Sequence, residues 1–188
     1  SKEALTEAKS KMRVEYEALD PILDLPTAIQ MKNFIGPCRK IVRGEANQAL
    51  QNATHRLKGF LEIGGQDHFY LESQASIVYP MEDGQLEVFS STQHPTEVQH
   101  WVAEALGLKF NQVNCVVKRM GGAFGGKESQ ATPIAVYAAL VASKLRRPAR
   151  LVLNKDEDMI ITGKRNPFLN EYEVGFSENG KIVALKVK

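Results

Sequence analysis

Between the β-rich run Val113–Lys118 and a nearly all small, apolar run from about Gln130 to Leu145, the chain reads RMGGAFGGKE, Arg119 to Glu128. Four glycines in six residues (Gly121, Gly122, Gly125, Gly126) cost chain entropy. A chain carries such a loop where positive φ angles are needed or where something approaches the backbone closely. A strand before it and a helix after it make this a strand–loop–helix junction. There, free N–H groups and the helix dipole favour anionic or oxygen-rich ligands. Phe124 presents an aromatic face in the middle of the loop, which a mere turn does not require.

The rest of the chain is read around this junction. Pro95–Leu106 has apolar residues at Val98, Trp101, Val102, Ala105 and Leu106, the spacing of one helical face. Pro95 suits the first turn and Gly107 the end. The run 130–145 has the pattern of a helix buried against a sheet. Strands are expected at Arg56–Glu62, from about His68 to Tyr79, at Leu86–Ser90 after an Asp83-Gly84 turn, and at Ala149–Leu153. A short helix is expected at Asp156–Ile161, its Asp156, Glu157 and Asp158 forming a solvated acidic start. A hairpin, Asn170–Phe176 and Lys181–Val187, closes the chain through Asn179-Gly180, a type I′ turn signal. Further upstream come a weak helical stripe (Ala4, Leu5, Ala8, Met12), the strand-like RVEYEAL, a short helix from Asp24 and a loop over 30–48. The fold class is α+β: a mixed sheet with a strand–helix–strand–helix–strand core and flanking antiparallel hairpins.

Composition narrows the function by exclusion. Lys+Arg number 24 and Asp+Glu 22, a net charge of +2, with basic residues scattered. This gives no footprint for nucleic acid. No run of about 18 apolar residues suggests a membrane span. Two cysteines, Cys38 and Cys115, lie far apart and fit a reducing compartment, hence a cytoplasmic location. Cys115 sits in an apolar run and reads as a small buried hydrophobe. Both ends read as cut: a charged helical segment opens the chain and an alternating strand ends it.

The loop admits three readings from its residues alone. It could be a tight connection whose glycines allow close helix–sheet packing. Gly121, Gly126 and Lys127 also fit G-x-x-x-x-G-K, the phosphate-binding loop. Against that, the following residue is Glu128, where a hydroxyl should meet Mg²⁺. The third reading is a site for a bulky, oxygen-bearing cofactor contacted by backbone amides. His68 and Glu72, four apart in the expected strand, would share a face, but no further ligand stands at a usable spacing for a metal.

Beyond these residues, RMGGAFGGKE, with Ser91-Thr92-Gln93, GGQDHFYLE (Gly64–Glu72) and DEDMIITGKRNPFLNEYEVGF downstream, resembles the xanthine dehydrogenase and aldehyde oxidase family of molybdenum hydroxylases. The resemblance runs from about Val14 to Val187. It implies that residues 39–188 are the N-terminal part of a truncated molybdenum-cofactor-binding domain, with residues 1–38 the tail of a preceding domain plus a linker. It implies molybdenum–molybdopterin as the cofactor here, with 2Fe-2S clusters, FAD and NAD served by other parts of an oligomeric enzyme.

Residue roles follow by the same resemblance. Gln93 approaches an oxygen ligand of molybdenum through its amide, and Phe124 offers its backbone N–H at the metal site with Gly125 beside it. These are contacts to the ligands of molybdenum rather than metal bonds. Glu128 hydrogen-bonds the purine, and at a helix N-terminus the dipole eases its ionisation. Glu128 favours xanthine dehydrogenase, which converts hypoxanthine and xanthine to urate with water as the oxygen source. Ala123, where relatives often have glycine, leaves an aldehyde oxidase open, and a non-catalytic scaffold remains the reading from another class. No catalytic residue is expected within these 188 residues. The glutamate base, the arginine and the two phenylalanines of relatives fall in other segments, so this chain alone is expected to be inactive.

Overall fold

A computed structural model describes the backbone of residues 1–188 and every side chain except that of Lys2. The chain divides into two compact units, residues 1–59 with 171–188, and residues 60–170.

The first unit carries helices α1 (Lys2–Lys11), α2 (Leu25–Gln30) and α3 (Ala46–Gln51). It also holds most of a three-stranded sheet, β1 (His55–Ile63), β6 (Phe168–Phe176) and β7 (Ile182–Val187), in the order β1-β6-β7. Asp24 caps α2 by accepting from the Thr27 N–H at 2.8 Å, with Pro26 in the first turn. Helix α3 packs on β7, and Leu50 is its buried anchor. The RVEYEAL segment pairs with no strand. Alternation without a partner strand does not make a strand. The closing turn is not type I′, since Gly180 has φ 79° while Asn179 keeps a negative φ. The Asn179 side chain instead accepts from the Ser177 hydroxyl at 2.6 Å, and Gly180 N–H donates to the Ser177 carbonyl at 2.8 Å. Both bonds hold a type I turn with glycine in the left-handed position.

The second unit is the strand–helix–strand–helix–strand core. Strands β2 (Ala75–Pro80), β3 (Leu86–Ser90), β4 (Val113–Val116) and β5 (Ala149–Val152) form one sheet in the order β4-β3-β2-β5. The β2–β3 and β2–β5 pairs are antiparallel, and β3–β4 is parallel. Helix α4 (Pro95–Leu106) connects the parallel pair and ends at Gly107, φ 65°, as its sequence signals require. Helix α5 (Ala131–Leu145) crosses the sheet from β4 to β5 and packs on β2, β3, β5 and α4. Its buried alanines, Ala135, Ala138, Ala139 and Ala142, let it lie close to Val78, Val88, Val98, Val102 and Val113. Burying such a set stabilises on the order of 1 kcal/mol for each added methylene. No helix among the described residues is long and apolar enough to cross a membrane.

One expected element is shorter than its sequence suggests. The strand from His68 to Tyr79 begins only at Ala75. Phe69 has φ 50°, and its N–H donates to the Asp67 carboxylate at 2.6 Å, a local turn that breaks any strand. His68 and Glu72 therefore do not share a strand face.

Candidate functional site

Strand direction decides where the polar residues gather. Phe89 pairs with Val116, Ser76 with Ser90, and Ala75 with Val152. The C-terminal ends of β3, β4 and β5 and the N-terminal end of β2 thus lie at one edge of the sheet. Four irregular segments leave from that edge: residues 67–74, 91–94, 117–130 and 153–154. Open sheets with helices on a face place ligand sites at strand C-termini because the connecting loops converge there.

The four glycines of the central loop do two different jobs. Gly122 (φ 93°) and Gly125 (φ 91°) adopt the left-handed region that side chains resist. At Gly121 a Cβ would lie 2.7 Å from Glu72 Cβ, and at Gly126 it would lie 2.6 Å from Tyr70 and 2.7 Å from His68. These two let the loop press on segment 67–74. Phe124, in the arc between them, also has φ 54° and is 76% exposed. A bulky residue held left-handed on the surface stores strain of about 1–3 kcal/mol, a mark of functional loops.

Gln93 joins this loop directly. Its side-chain Oε1 accepts from the N–H of Gly125 at 3.0 Å and of Lys127 at 3.3 Å. That fixes the amide orientation, since only the oxygen can accept. The Gln93 Nε2 and the Phe124 N–H have no partner among the described residues. A Cβ at Gly125 would meet only the His68 ring, at 3.9–4.0 Å, so the backbone there is uncovered.

Beneath the loop lies a polar layer. Lys127 is wholly buried. Its Nζ donates to Glu72 Oε2 at 3.1 Å and Ser91 Oγ at 2.9 Å, and it lies 4.8 Å from the centre of the Tyr70 ring. Glu72 Oε2 also accepts from the Gly121 N–H at 2.9 Å and the Ser91 hydroxyl at 2.7 Å. Burial pushes the Glu72 carboxyl up, but these donors and the Lys127 charge outweigh it and hold it below its ordinary value. A second layer is built on Asp158, which accepts from the Tyr70 hydroxyl and the Gln74 N–H, both at 2.6 Å. Gln74 Nε2 continues to the Gly126 carbonyl at 2.9 Å. Burial, then the bond to Asp158, pushes the Tyr70 hydroxyl up to about 12.

Several expected placements change. Helix α6 (Lys155–Ile161) is capped by Asn154, and Asp156 and Glu157 are exposed, but Asp158 is 3% exposed and far from a solvated start. Helix α5 begins at Ala131, so Glu128 precedes it rather than opening its first turn. Glu128 is exposed, and its carboxylate has no partner among the described residues. Cys115 is half-buried, with burial pushing its thiol up to about 11. Among the described residues no cluster of three His, Cys, Asp or Glu could hold a metal ion. His68 and Glu72 are no metal pair: Glu72 is committed to Lys127, and His68 stacks on Tyr70. The phosphate-loop reading fails on Lys127, whose ammonium points into the molecule and is already bonded there.

Sequence reasoning gave Lys127, Glu72 and Asp158 other roles and missed Tyr70, so none of the four was read as part of this polar layer. The signal available was a lysine directly after a glycine run and an acid 55 residues earlier, which no periodicity links.

The profile of the molybdopterin cofactor-binding domain matches residues 29–188, and the chain belongs to that family. Its relatives include the xanthine dehydrogenase/oxidase of Gallus gallus, 44% identical over 96% of this chain, and the aldehyde oxidase 2 of Cavia porcellus, 42% identical over 97%. The chain spans 13% and 14% of the lengths of those relatives. Among solved structures, quinoline 2-oxidoreductase from Pseudomonas putida 86 superposes with TM-score 0.79 over 100% of this chain and 25% of its own, at 21% identity. The aldehyde oxidoreductase of Desulfovibrio gigas superposes with TM-score 0.64 over 76% of this chain and 16% of its own, at 25% identity. The cofactor bound by this domain is therefore molybdenum–molybdopterin.

Proposed function

We propose that these residues are part of the catalytic subunit of a cytoplasmic molybdenum hydroxylase of the xanthine dehydrogenase type, which oxidises hypoxanthine and xanthine to urate. The observation that carries this reading is a set of three unpartnered polar groups on two turns that meet at Lys127: Gln93 Nε2, the Phe124 N–H and the Glu128 carboxylate. The residues fit the cofactor by their chemistry. The exposed backbone at Phe124–Gly125 and the outward amide of Gln93 are uncharged donors, suited to oxygen ligands of a metal held elsewhere by its own chelate. When bound, the cofactor supplies a two-electron oxidation of an electron-poor carbon next to nitrogen, with water as the oxygen source.

This chain's own residues orient and recognise. Gln93 donates from Nε2 while two backbone N–H groups hold its oxygen. Phe124 donates from its backbone, and Gly125 keeps the approach open. Glu128 reads the polar edge of a purine, whose ring N–H groups donate to a carboxylate. Residues 39–188 form the N-terminal part of a larger cofactor-binding region, with residues 1–38 a tail and linker. The rest of that region, the 2Fe-2S clusters, FAD and NAD belong to the remainder of an oligomeric protein.

The test uses the full-length parent, purified from a host that makes the cofactor. Molybdenum content and kcat/KM on xanthine and on an aromatic aldehyde are measured for the parent and for Glu128→Val. Loss of one charged hydrogen bond lowers kcat/KM on xanthine about 10- to 100-fold and spares the aldehyde. An unchanged xanthine rate, or preference of the parent for the aldehyde, refutes the purine assignment. A parent that carries its other cofactors but no molybdenum is a scaffold.

A further inference from the structure

We infer that Lys127 and Glu72 are the positioning pair of this site: one ion pair pins both feet of the loop that carries Phe124 and ties that loop to the turn that carries Gln93. The inference rests on the roles of Gln93, Phe124 and Glu128 proposed above.

The geometry is asymmetric in a telling way. Glu72 holds the entry of the arc, its Oε2 accepting from the Gly121 N–H at 2.9 Å while its own N–H donates to the Gly121 carbonyl at 3.0 Å. Lys127 holds the exit. Every polar atom of this residue is used: its N–H on Gln93 Oε1, its carbonyl on the Gln93 N–H at 2.9 Å and the Thr92 hydroxyl at 3.0 Å, and its Nζ on Glu72, Ser91 and, at 3.5 Å, the Ser73 carbonyl. Within the arc the bonds are few, Gly126 N–H to the Ala123 carbonyl at 2.8 Å and Gly125 N–H to Gln93. The shape of a glycine-rich arc with so little internal bonding is set by its feet. Glu128, next in the chain, is exposed to solvent. An ion pair with one buried and one half-buried partner is weak support for stability as such, since apolar residues of the same volume often serve as well. Its directional bonds to three segments are what an apolar replacement cannot copy.

The full-length parent, with and without its cofactor, is compared with Lys127→Met, Glu72→Gln and the double variant by amide hydrogen exchange and by kcat and KM on xanthine. Lys127→Met speeds exchange at least tenfold in residues 91–94 and 120–128, leaves α4 and α5 protected, and lowers kcat at least tenfold. The double variant moves back towards the parent, because neither charge is left alone. If Lys127→Met does not fold, Glu72→Gln must show the same local loosening. Unchanged exchange in the two turns, or equal loosening of α4 and α5, overturns the inference. Gln93→Ala separates the two claims: full xanthine turnover in that variant sinks the roles proposed for the site, whatever the exchange data say of Lys127.

Discussion

Removing the Asp158 carboxylate should cost more than any other change to the acidic stretch 156–158, although three adjacent acids look alike in sequence. Asp158→Ala leaves the Gln74 N–H and the Tyr70 hydroxyl without their acceptor, and both residues are buried, at 0% and 4% exposed. An orphaned buried donor costs about 1–3 kcal/mol. The Gln74 N–H has no other acceptor and carries the full penalty. The Tyr70 hydroxyl can turn towards Gln74 Oε1, which has no partner of its own, so its loss is partial. The sum is about 2–4 kcal/mol. Asp158→Asn keeps one acceptor for the Gln74 N–H and presents an N–H₂ to the tyrosine oxygen, a cost of about 1–2 kcal/mol. Asp156→Ala, on the exposed face of the same turn, should cost about 0.5 kcal/mol through the helix dipole alone. Native-state hydrogen exchange of β2 and β5 in the parent protein reads these differences as changes in opening free energy. The Leu153 amide, bonded to the Gln74 carbonyl at 3.0 Å, is the nearest reporter. Asp158→Ala within about 0.5 kcal/mol of Asp156→Ala would refute the buried-acceptor reasoning.

Tyr70 keeps its proton better folded than unfolded, so its contribution is complete below pH 10 and is lost as pH rises from about 10 towards about 12. The loss amounts to about 2–3 kcal/mol, and Tyr70→Phe should flatten that alkaline arm in urea titrations at stepped pH. Glu72 behaves oppositely: its contribution is present above its ordinary pKa and is lost as pH falls through the depressed folded value, so Glu72→Gln should flatten the acid arm. Gly126→Ala forces a Cβ into the Tyr70 and His68 rings and should destabilise by about 2–3 kcal/mol, whereas Gly64→Ala, with nothing within 4 Å, should stay near 0.5 kcal/mol in the same denaturation assay. Iodoacetamide at pH 8 on native protein should leave Cys115 unmodified, because burial holds its thiol near 11; mass spectrometry of the labelled peptides checks this.

The β3–α4–β4–α5–β5 succession was legible because each part states its own period and its own punctuation. Val98, Trp101, Val102 and Ala105 mark one face, Pro95 and Gly107 bound it, and the alanines of α5 announce close packing. The segment 67–74 was not legible, because its apolar letters Phe69, Tyr70 and Leu71 mimic a strand. Its path is set by partners far off in sequence, at Gly121, Ser91 and Asp158. The loop's importance could be read from its glycines, but the division of labour among them could not. Positive φ at Gly122 and Gly125 is a local property, whereas the need for glycine at 121 and 126 arises from Glu72, Tyr70 and His68. In general, what a short window determines could be read, and what contact between distant segments determines could not, as with Lys127 and Glu72 at a separation of 55.

That separation also explains how one string, Gly-x-x-x-x-Gly-Lys, comes to serve a different end from the phosphate loop it imitates. In a phosphate loop the lysine must project outward, so nothing beneath it can hold an ammonium. Here a carboxylate waits beneath: Glu72, itself committed to the Gly121 N–H and to the hydroxyl of Ser91, which closes the circuit on the lysine. The next residue is exposed, and Glu128 carries a free carboxylate where a phosphate loop would need a hydroxyl for Mg²⁺. Neither feature can change alone. An outward lysine would leave Glu72 half-buried without its cation, and a hydroxyl at 128 would put a weaker, neutral acceptor where the free carboxylate now stands. The inward lysine, held by its ion pair, and the acidic neighbour together separate an amide-lined cofactor loop from a nucleotide loop.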